Sequence, residues 1–231
     1  MRVAEIRTVA ETGSTNYDLA ALARDGAPEG TWLRADRQTG GKGRQGRAWL
    51  SPPGNLYAST IVRLRSDDPP APTLALVAAV ALHEVVADFS VDVRIKWPND
   101  LLVGHAKLAG ILLEREGEAV IAGFGVNLAH HPEGLAQEAT SLSARGAPLP
   151  TPDAFLEALA GSFENRLAQW RREGLAPIRA AWLAAAHPPG TPLVTAEGEG
   201  AFDGLDESGA LRLRLADGTV PVIHAGDVFL V

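Results

Sequence analysis

The stretch from Gln38 to Trp49 reads QTGGKGRQGRAW and combines four glycines with three cationic side chains. Glycine tolerates positive φ and lets the backbone approach a ligand, and successive N–H groups in such a turn form an anion-binding concavity. Lys42, Arg44 and Arg47 add positive charge, and arginine can bind phosphate oxygens through two parallel hydrogen bonds. The stretch therefore predicts an anion-binding loop, although a flexible basic surface loop explains it equally well when it is taken alone.

The loop matches neither of two common nucleotide-binding motifs. The spacing GxxxxGK[ST] of a Walker loop is absent. No helical pattern follows the glycines, as a Walker loop or a Rossmann fingerprint would require. Any phosphate chemistry here must use another architecture.

The segment KWPNDLLV places a polar cluster between two apolar strands. Lys96, Asn99 and Asp100 surround a proline that turns the chain. Asn and Asp favour turns because their side chains bond to nearby backbone. Taken alone, the segment is most simply a hairpin turn.

Two later segments combine glycines with isolated polar residues. KLAGILLE contains Lys107 and Gly110, and GFGVN contains Gly123 and ends at Asn127. A strand lysine is often an edge charge that prevents aggregation, and a strand glycine marks a bulge or a close approach. The two glycines of GFGVN leave a flat trough, and an asparagine amide suits the edge of an adenine base. A weak strand with an Asn turn is the simpler alternative.

Hydrophobic periodicity supplies the elements that must position these residues. The pattern predicts a helix capped by Thr15, with Asp18 in its first turn and Gly26 after its end. Strands are predicted at TWLRAD, VDVRIKW, LLV, AKLAGILLERE and AVIAGFGVNLA, and a half-buried strand at NLYASTIVRL. The apolar run from Pro72 to about Phe89 predicts a buried helix.

The second half of the chain changes character. A long helix is expected after Thr151, which serves as its N-cap, and a shorter helix over about Pro177–Ala186. After the break HPPG, the turn sequences EGEG, DESG and ADGT recur about every ten residues, which is typical of a small all-β barrel.

Composition excludes several classes of function. The chain has 231 residues, a net charge of −7 and no cysteine. Disulfides, thiol nucleophiles and thiolate metal sites are therefore excluded, and a general nucleic-acid surface is disfavoured. We find no signal-peptide pattern and no apolar run of transmembrane length, so a cytoplasmic protein without a membrane partner is expected.

The motifs ETGSTN, QTGGKGRQGRAW, KWPNDLLV, KLAGILLE and GFGVN occur in this order, and together they closely resemble the biotin protein ligase family. The resemblance is strong from about Glu11 to Asn127 and weaker in the C-terminal β module, which is similar to that family's SH3-like domain. It implies an α+β fold of the class II synthetase type, with a mixed sheet and helices packed on one side. The implied domains are a catalytic domain at 1–186 and an SH3-like β-barrel at 187–231.

The resemblance also implies the reaction. Biotin and ATP would form biotinyl-5′-AMP and pyrophosphate, and biotin would pass to a lysine of the biotin carboxyl carrier protein of acetyl-CoA carboxylase. Mg²⁺ is expected with ATP, but its ligands are unknown. We expect a short form without the N-terminal DNA-binding domain of repressor-type members, hence no DNA binding, and a homodimer because family members often pair through the main sheet.

By resemblance, each motif receives a role. The expected catalytic residues are Lys107, Arg44 and Asp100, with Asp100 orienting Lys107 or helping to position Mg²⁺. Biotin is expected to contact Ser14, Thr15, Asn16, Gln38, Gly41, Lys42, Gly43, Arg44, Lys107, Gly110 and Gly123. ATP or the adenylate is expected to contact Lys42, Arg44, Arg47, Trp49, Lys96, Asn99, Lys107 and Asn127.

Three details of these roles can be examined further. Gly110 and Gly123 are expected to be small because the ligand lies against them. Trp49 and Asn127 are expected to frame the adenine by its face and its edge. At Lys42 the family more often has arginine, so the two-pronged phosphate contact is lost while the charge is kept.

Three rivals stay open at this point. A lipoate–protein ligase or octanoyltransferase of related fold shares the carrier-lysine logic. A non-catalytic module could bind RNA or a phosphorylated partner with the basic loop, although only Trp49 is available there for stacking. A degenerate ligase could sequester biotin without catalysis, against which Lys107 and Arg44 argue.

Overall fold

The computed structural model describes residues 5–135 and 137–230. Seven strands form the larger sheet: β1 (Glu5–Thr12), β2 (Thr31–Gln38), β3 (Leu56–Arg63), β4 (Val93–Lys96), β5 (Asp100–Val103), β6 (Ala106–Glu116) and β7 (Ala119–Val126). Their order is β1-β2-β3-β7-β6-β5-β4. The pair β1–β2 is parallel and the other neighbours are antiparallel, so the predicted mixed sheet is confirmed.

Four α-helices accompany this sheet: α1 (Thr15–Arg24), α2 (Leu74–Ala87), α3 (Pro152–Glu173) and α4 (Leu175–Ala185). Helices α2, α3 and α4 share the main core on one face, as predicted. The short helix α1 lies on the opposite face, where Leu19 and Ala23 pack against Ile61 and Ile121. This second layer adds to the predicted layout and covers only part of that face, which leaves room for a cleft beside α1.

Strand β3 shows what this second layer does. Its alternating apolar pattern predicts one buried face, but the structure buries every residue from Leu56 to Val62. The prediction of a half-buried strand is therefore wrong. Burial on both faces follows from the central position of β3, between β2 and β7 and under helices on either side.

Two predicted helices have the local signals that were expected. The run LALVAAVALHEVVA forms α2, whose apolar surface is buried almost all round. In α3 the Thr151 hydroxyl accepts a hydrogen bond from the backbone N–H of Ala154 at 3.2 Å, and Gly174 ends the helix with φ 75°.

The C-terminal module is a five-stranded antiparallel sheet in the order β11-β10-β9-β8-β12, which matches the predicted SH3-like domain. Its strands are β8 (Pro192–Thr195), β9 (Gly198–Leu205), β10 (Leu211–Leu215), β11 (Val222–Ile223) and β12 (Phe229–Leu230). The Trp97 indole N–H donates to the Gly209 carbonyl at 3.1 Å, which joins the module to the main domain. The two share one apolar core, and the boundary at 186/187 stays a prediction.

Candidate active site

A cleft of about 670 Å³ opens on the face of the sheet that carries α1. It is lined by the start of α1, the glycine-rich loop, strands β6 and β7, and the segment before β12. Every predicted site residue except Gly41 lines it. Five motifs that are far apart in the sequence therefore meet at one place.

A group of three charges lies at the centre of the cleft. The Lys107 ammonium pairs with one oxygen of the Asp100 carboxylate at 2.7 Å, and the Lys96 ammonium pairs with the other at 3.0 Å. Burial raises the pKa of Asp100, but the two lysines lower it more, so its pKa lies below the ordinary value and the carboxylate is ionised at neutral pH. Lys107 is thereby held with its ammonium in the cleft.

Local backbone contacts explain why Lys107 points this way. The pairing of β5 with β6 shifts register between Leu101 and Leu102, beside the lysine. The Lys107 N–H donates to the Glu138 carbonyl at 2.7 Å, and the Lys107 carbonyl accepts from Thr140 at 2.9 Å. A bulge and an added segment thus fix the strand where the lysine leaves it.

The start of α1 supplies the polar end of the cleft. The predicted capping role of Thr15 is wrong, because Ser14 occupies the N-cap position and makes no side-chain capping bond. The Thr15 backbone N–H instead donates to the Gln38 side-chain oxygen at 2.9 Å, and the Thr15 hydroxyl oxygen lies 3.1 Å from the same atom. Asn16 is almost fully buried and accepts a 2.6 Å hydrogen bond from the Ser59 hydroxyl.

The strand glycines make room for neighbouring side chains. A Cβ on Gly110 would lie 3.1 Å from the Lys107 side chain, and a Cβ on Gly123 would lie 2.1 Å from Asn16 Oδ1. At Gly125 a Cβ would lie 2.6 Å from the Trp49 ring. These glycines make room for protein side chains that shape the site, and the predicted contact of Gly110 and Gly123 with the ligand stays a prediction.

We expect Gly125→Ala to displace Trp49, because the added methyl would overlap the indole ring. Displacement of the Trp49 ring from its place against Gly125 should raise the KM for ATP by about tenfold, the scale of one lost stacking contact. Steady-state kinetics with varied ATP measure this. Gly161→Ala in α3 is the control, since a Cβ there meets nothing within 4 Å. An unchanged KM for ATP in Gly125→Ala would contradict the packing role.

The glycine-rich loop forms a short hairpin. The Gly43 N–H donates to the Arg47 carbonyl at 2.7 Å, and the Trp49 N–H donates to the Gly41 carbonyl at 2.9 Å. Gly41 is required by close approach, since its Cβ would lie 2.7 Å from the Trp49 carbonyl oxygen. Of the four loop glycines only Gly46 has positive φ, so the general expectation of positive φ is wrong.

Two loop arginines contact the C-terminal module. Arg44 donates to the Gly226 carbonyl at 2.9 Å, and Arg47 pairs with the Asp227 carboxylate at 2.9 Å. Asp227 also lines the cleft. The C-terminal segment therefore fixes the loop over the cleft and gives its cations an internal counter-ion.

Removing that counter-ion should loosen the loop. We expect Asp227→Asn to increase the rate of tryptic cleavage after Arg47 by about threefold without ligands, because the loop opens more often when its ion pair is lost. Cleavage followed by mass spectrometry measures the rate, and the exposed Glu207→Gln in the same module is the control. Equal cleavage of the wild type and Asp227→Asn would show that the ion pair does not hold the loop.

The side-chain amides of Asn99 and Asn127 each donate a hydrogen bond within the protein. The Asn99 amide donates to the Ile111 carbonyl, and the Asn127 amide donates to the Thr140 carbonyl at 3.0 Å. Each keeps its side-chain oxygen as the group available to a ligand. The expected contact of Asn127 with adenine stays a prediction, in which the Asn127 side-chain oxygen would accept a hydrogen bond from the base.

Family models match both parts of this architecture. The model described as the biotin/lipoate A/B protein ligase family matches residues 11–129, and the biotin protein ligase C-terminal domain matches residues 195–231. The chain is 40% identical over 238 aligned residues to a biotin–[acetyl-CoA-carboxylase] ligase of Paracoccus denitrificans, covering 96% of this chain and 98% of that protein. The chain belongs to the biotin protein ligase family.

Two solved structures of biotin protein ligases resemble this fold over nearly the whole chain. The Aquifex aeolicus enzyme in complex with biotin and ATP has a TM-score of 0.89 at 25% identity, covering 98% of this chain and 99% of that chain. The Leishmania major enzyme in complex with biotinyl-5-AMP has a TM-score of 0.70 at 26% identity, covering 96% and 99%. These likenesses support the biotin ligase and not the lipoate or RNA-binding alternatives.

The family resemblance did not point to several groups that complete the site. They are Ser51, Ser59, Glu114, Gly125 and Asp227. Gly125 carries a detectable signal, since it shares a strand face with Gly123. The others are ordinary strand or loop residues whose role depends on distant partners. Among the described residues, no helix is long and apolar enough to cross a bilayer.

Proposed function

We propose that this member of the biotin protein ligase family is a biotin–[acetyl-CoA-carboxylase] ligase that activates biotin with ATP and transfers it to a carrier lysine. The observation that carries the proposal is the single cleft, where a buried polar end and a cationic centre lie together. Biotin has a polar ring at one end and a carboxylate at the other, so it matches both ends of the cleft.

The polar end suits the ureido ring. The N–H donors of the ureido ring need hydrogen-bond acceptors in a site that excludes water. Thr15 and Gln38 offer oxygens there, and Asn16 and Ser59 support them from behind. The ring would lie along the start of α1, with the acyl chain directed towards Lys107.

The cationic centre suits the first chemical step. A biotin carboxylate oxygen attacks the α-phosphorus of ATP, a new P–O bond forms, the bond to the β-phosphate oxygen breaks, and pyrophosphate leaves. Lys107 would stabilise the charge that develops on the α-phosphate and hold two mutually repelling anions together. Lys42, Arg44 and Arg47 would bind the remaining phosphates once the phosphates replace the carboxylate of Asp227.

The second step needs no covalent enzyme intermediate. The neutral amine of the carrier lysine attacks the acyl carbon of biotinyl-5′-AMP, an amide forms and AMP leaves. The loop over the cleft would protect the mixed anhydride from hydrolysis until the carrier arrives. We expect the loop to become more resistant to proteolysis when biotin and ATP are both present.

Asp100 acts best as a positioning residue for Lys107, because both of its oxygens are engaged by lysines. The described residues contain no group of three or more His, Asp or Glu side chains able to hold a metal. Mg²⁺ would therefore be bound mainly by ATP phosphate oxygens and water, and it would neutralise phosphate charge.

The partner and the compartment follow from the chemistry. The acceptor is a lysine on the biotin carboxyl carrier protein of acetyl-CoA carboxylase, presented at the mouth of the cleft. The need for ATP favours the cytoplasm. A homodimer remains an expectation from the family resemblance.

ATP–pyrophosphate exchange tests the first step directly. The purified protein should exchange labelled pyrophosphate into ATP only when biotin is present, and lipoate or octanoate offered in parallel should give no exchange. Transfer to a recombinant carrier domain, followed by mass spectrometry, tests the second step. Exchange that ignores biotin, or that lipoate supports equally, would overturn the proposal.

A further inference from the structure

A chain of hydrogen bonds runs behind the polar end of the cleft. The Asn16 amide nitrogen donates to the Glu114 carboxylate at 2.7 Å, and the Ser59 hydroxyl donates to the Asn16 oxygen at 2.6 Å. The hydroxyls of Ser59 and Thr15 are 2.7 Å apart. Asn16, Ser59 and Thr15 are buried, so the contacts among these three are shielded from water, whereas Glu114 is exposed.

The Glu114 carboxylate, supported by a longer contact of Asn16 with the Leu112 carbonyl, sets the direction of the bonds in this chain. The Glu114 carboxylate accepts from Asn16 at 2.7 Å and the Leu112 carbonyl does so at 3.4 Å, so Asn16 turns its NH₂ towards them and its oxygen towards Ser59. Ser59 then uses its single hydrogen on Asn16. The Thr15 hydroxyl hydrogen therefore goes to Ser59 at 2.7 Å and not to the Gln38 oxygen, which lies 3.1 Å away. The Gln38 oxygen already accepts the Thr15 backbone N–H. The Thr15 hydroxyl oxygen and the Gln38 side-chain oxygen are consequently left to accept from a ligand, while the Gln38 NH₂ donates to the Ser51 hydroxyl at 3.2 Å.

We propose that Glu114 is a positioning residue that acts through Asn16 to make this end of the cleft an acceptor site for the two N–H groups of the biotin ureido ring. The inference rests on the proposed function. It names a specificity determinant, because a dithiolane or a plain acyl chain has no N–H and would leave the buried acceptors unpaired.

Gly123 supports the same assignment independently. The Asn16 oxygen occupies the space that a Cβ on Gly123 would fill, at 2.1 Å. The amide is therefore held on one side by the backbone of β7 and at its two polar ends by Glu114 and Ser59. Its position is fixed by packing, and its orientation follows mainly from the short contact with the Glu114 carboxylate, with a longer contact to the Leu112 carbonyl in support.

Substitutions of Glu114 distinguish the effect of the Asn16 orientation on biotin binding from the effect of the Glu114 charge. Glu114→Lys places a donor beside Asn16, which must then present its oxygen to the ammonium and its NH₂ to Ser59. Ser59 donates to Thr15 in turn, and this fills a lone pair that the ligand would use. We expect the KM for biotin to rise by about tenfold or more, the scale of one hydrogen bond to a charged group.

Glu114→Gln can satisfy either orientation, so its KM for biotin should rise by only about threefold. The KM for ATP and the melting temperature should stay near the wild-type values for both variants. Charge alone predicts the opposite sign, because loss of a negative charge favours anionic biotin. A higher KM for biotin therefore reports the lost orientation.

The matched controls are Glu116→Lys and Glu116→Gln, on the same strand. Glu116 pairs with Arg24 at 2.8 Å, so these variants make the same charge changes without a contact to Asn16. If the Glu114 variants keep the wild-type KM for biotin, or if the Glu116 variants raise the KM for biotin by the same factor, the proposal is wrong. If Glu114→Lys fails to fold, the Glu114→Gln comparison decides. Failure of the proposed function appears separately, as wild-type exchange that ignores biotin.

Discussion

Lys107→Ala is expected to reduce biotin-dependent ATP–pyrophosphate exchange by on the order of 10²–10³-fold, the usual effect of losing one positioned electrostatic donor. The ammonium lies 2.7 Å from Asp100 and 5.5 Å from the centre of the Trp49 ring, at the junction of the two ends of the cleft. No other cation of the described site is held there, because Lys96 lies on the far side of the Asp100 carboxylate. The loss should fall mainly on kcat, since charge develops in the transition state.

The fold should survive this substitution. Asp100 keeps its contact with Lys96, so the melting temperature of Lys107→Ala should change little. Lys107→Arg retains the charge with a different shape and should recover part of the activity. Lys42→Ala removes an exposed loop cation and serves as the comparison, with a smaller expected loss of about tenfold. Exchange by Lys107→Ala within about threefold of the wild type would remove Lys107 from its central role.

Local signals in the sequence were sufficient for most elements. Apolar runs bounded by turn residues predicted β6 and β7, and the Thr151–Pro152 start predicted α3, because these patterns depend only on near neighbours in the chain. The order of the five motifs was sufficient for the resemblance to the family. Neither signal gives the distance between two side chains.

The remaining features depend on contacts between distant segments. Arg47 and Asp227 are 180 residues apart in the chain, and Asn16 and Glu114 are 98 apart. No periodicity relates such pairs, so the loop ion pair and the polar chain could not be predicted. Thr15 was misplaced for the same reason: its cap-like position is local, but its partner Gln38 lies across the sheet.

Asp100→Asn is expected to destabilise the protein by about 3 kcal/mol at pH 7, because it leaves two lysine ammoniums without their shared counter-ion in a partly buried place. The side chains of Lys96, Asp100 and Lys107 are 7%, 13% and 24% exposed. An amide can still accept one hydrogen bond but carries no charge. Lys107 should also lose its fixed position, so exchange activity should fall together with stability.

The pH dependence separates the carboxylate charge from any effect of the changed shape. Burial raises the pKa of Asp100, but the two lysines lower it further, to below its ordinary value of 3.8. A depressed folded-state pKa stabilises the protein above the unfolded-state pKa, and this stabilisation disappears as the pH falls through the folded-state value. Urea unfolding should therefore show a full difference between the wild type and Asp100→Asn at pH 5–8, and a narrowing difference below about pH 4.

Asp92→Asn provides the control for this pH series. Its carboxylate is 83% exposed and pairs only with a neighbouring surface arginine, so its loss should change stability by less than about 0.5 kcal/mol at any pH. If the difference in unfolding free energy between the wild type and Asp100→Asn stayed constant below about pH 4, the amide would be disturbing the packing. If this difference in unfolding free energy disappears at low pH, the negative charge itself holds Lys107 and Lys96 together. The same charge that stabilises the sheet then also fixes the catalytic ammonium, and stability and activity at this site cannot be varied independently.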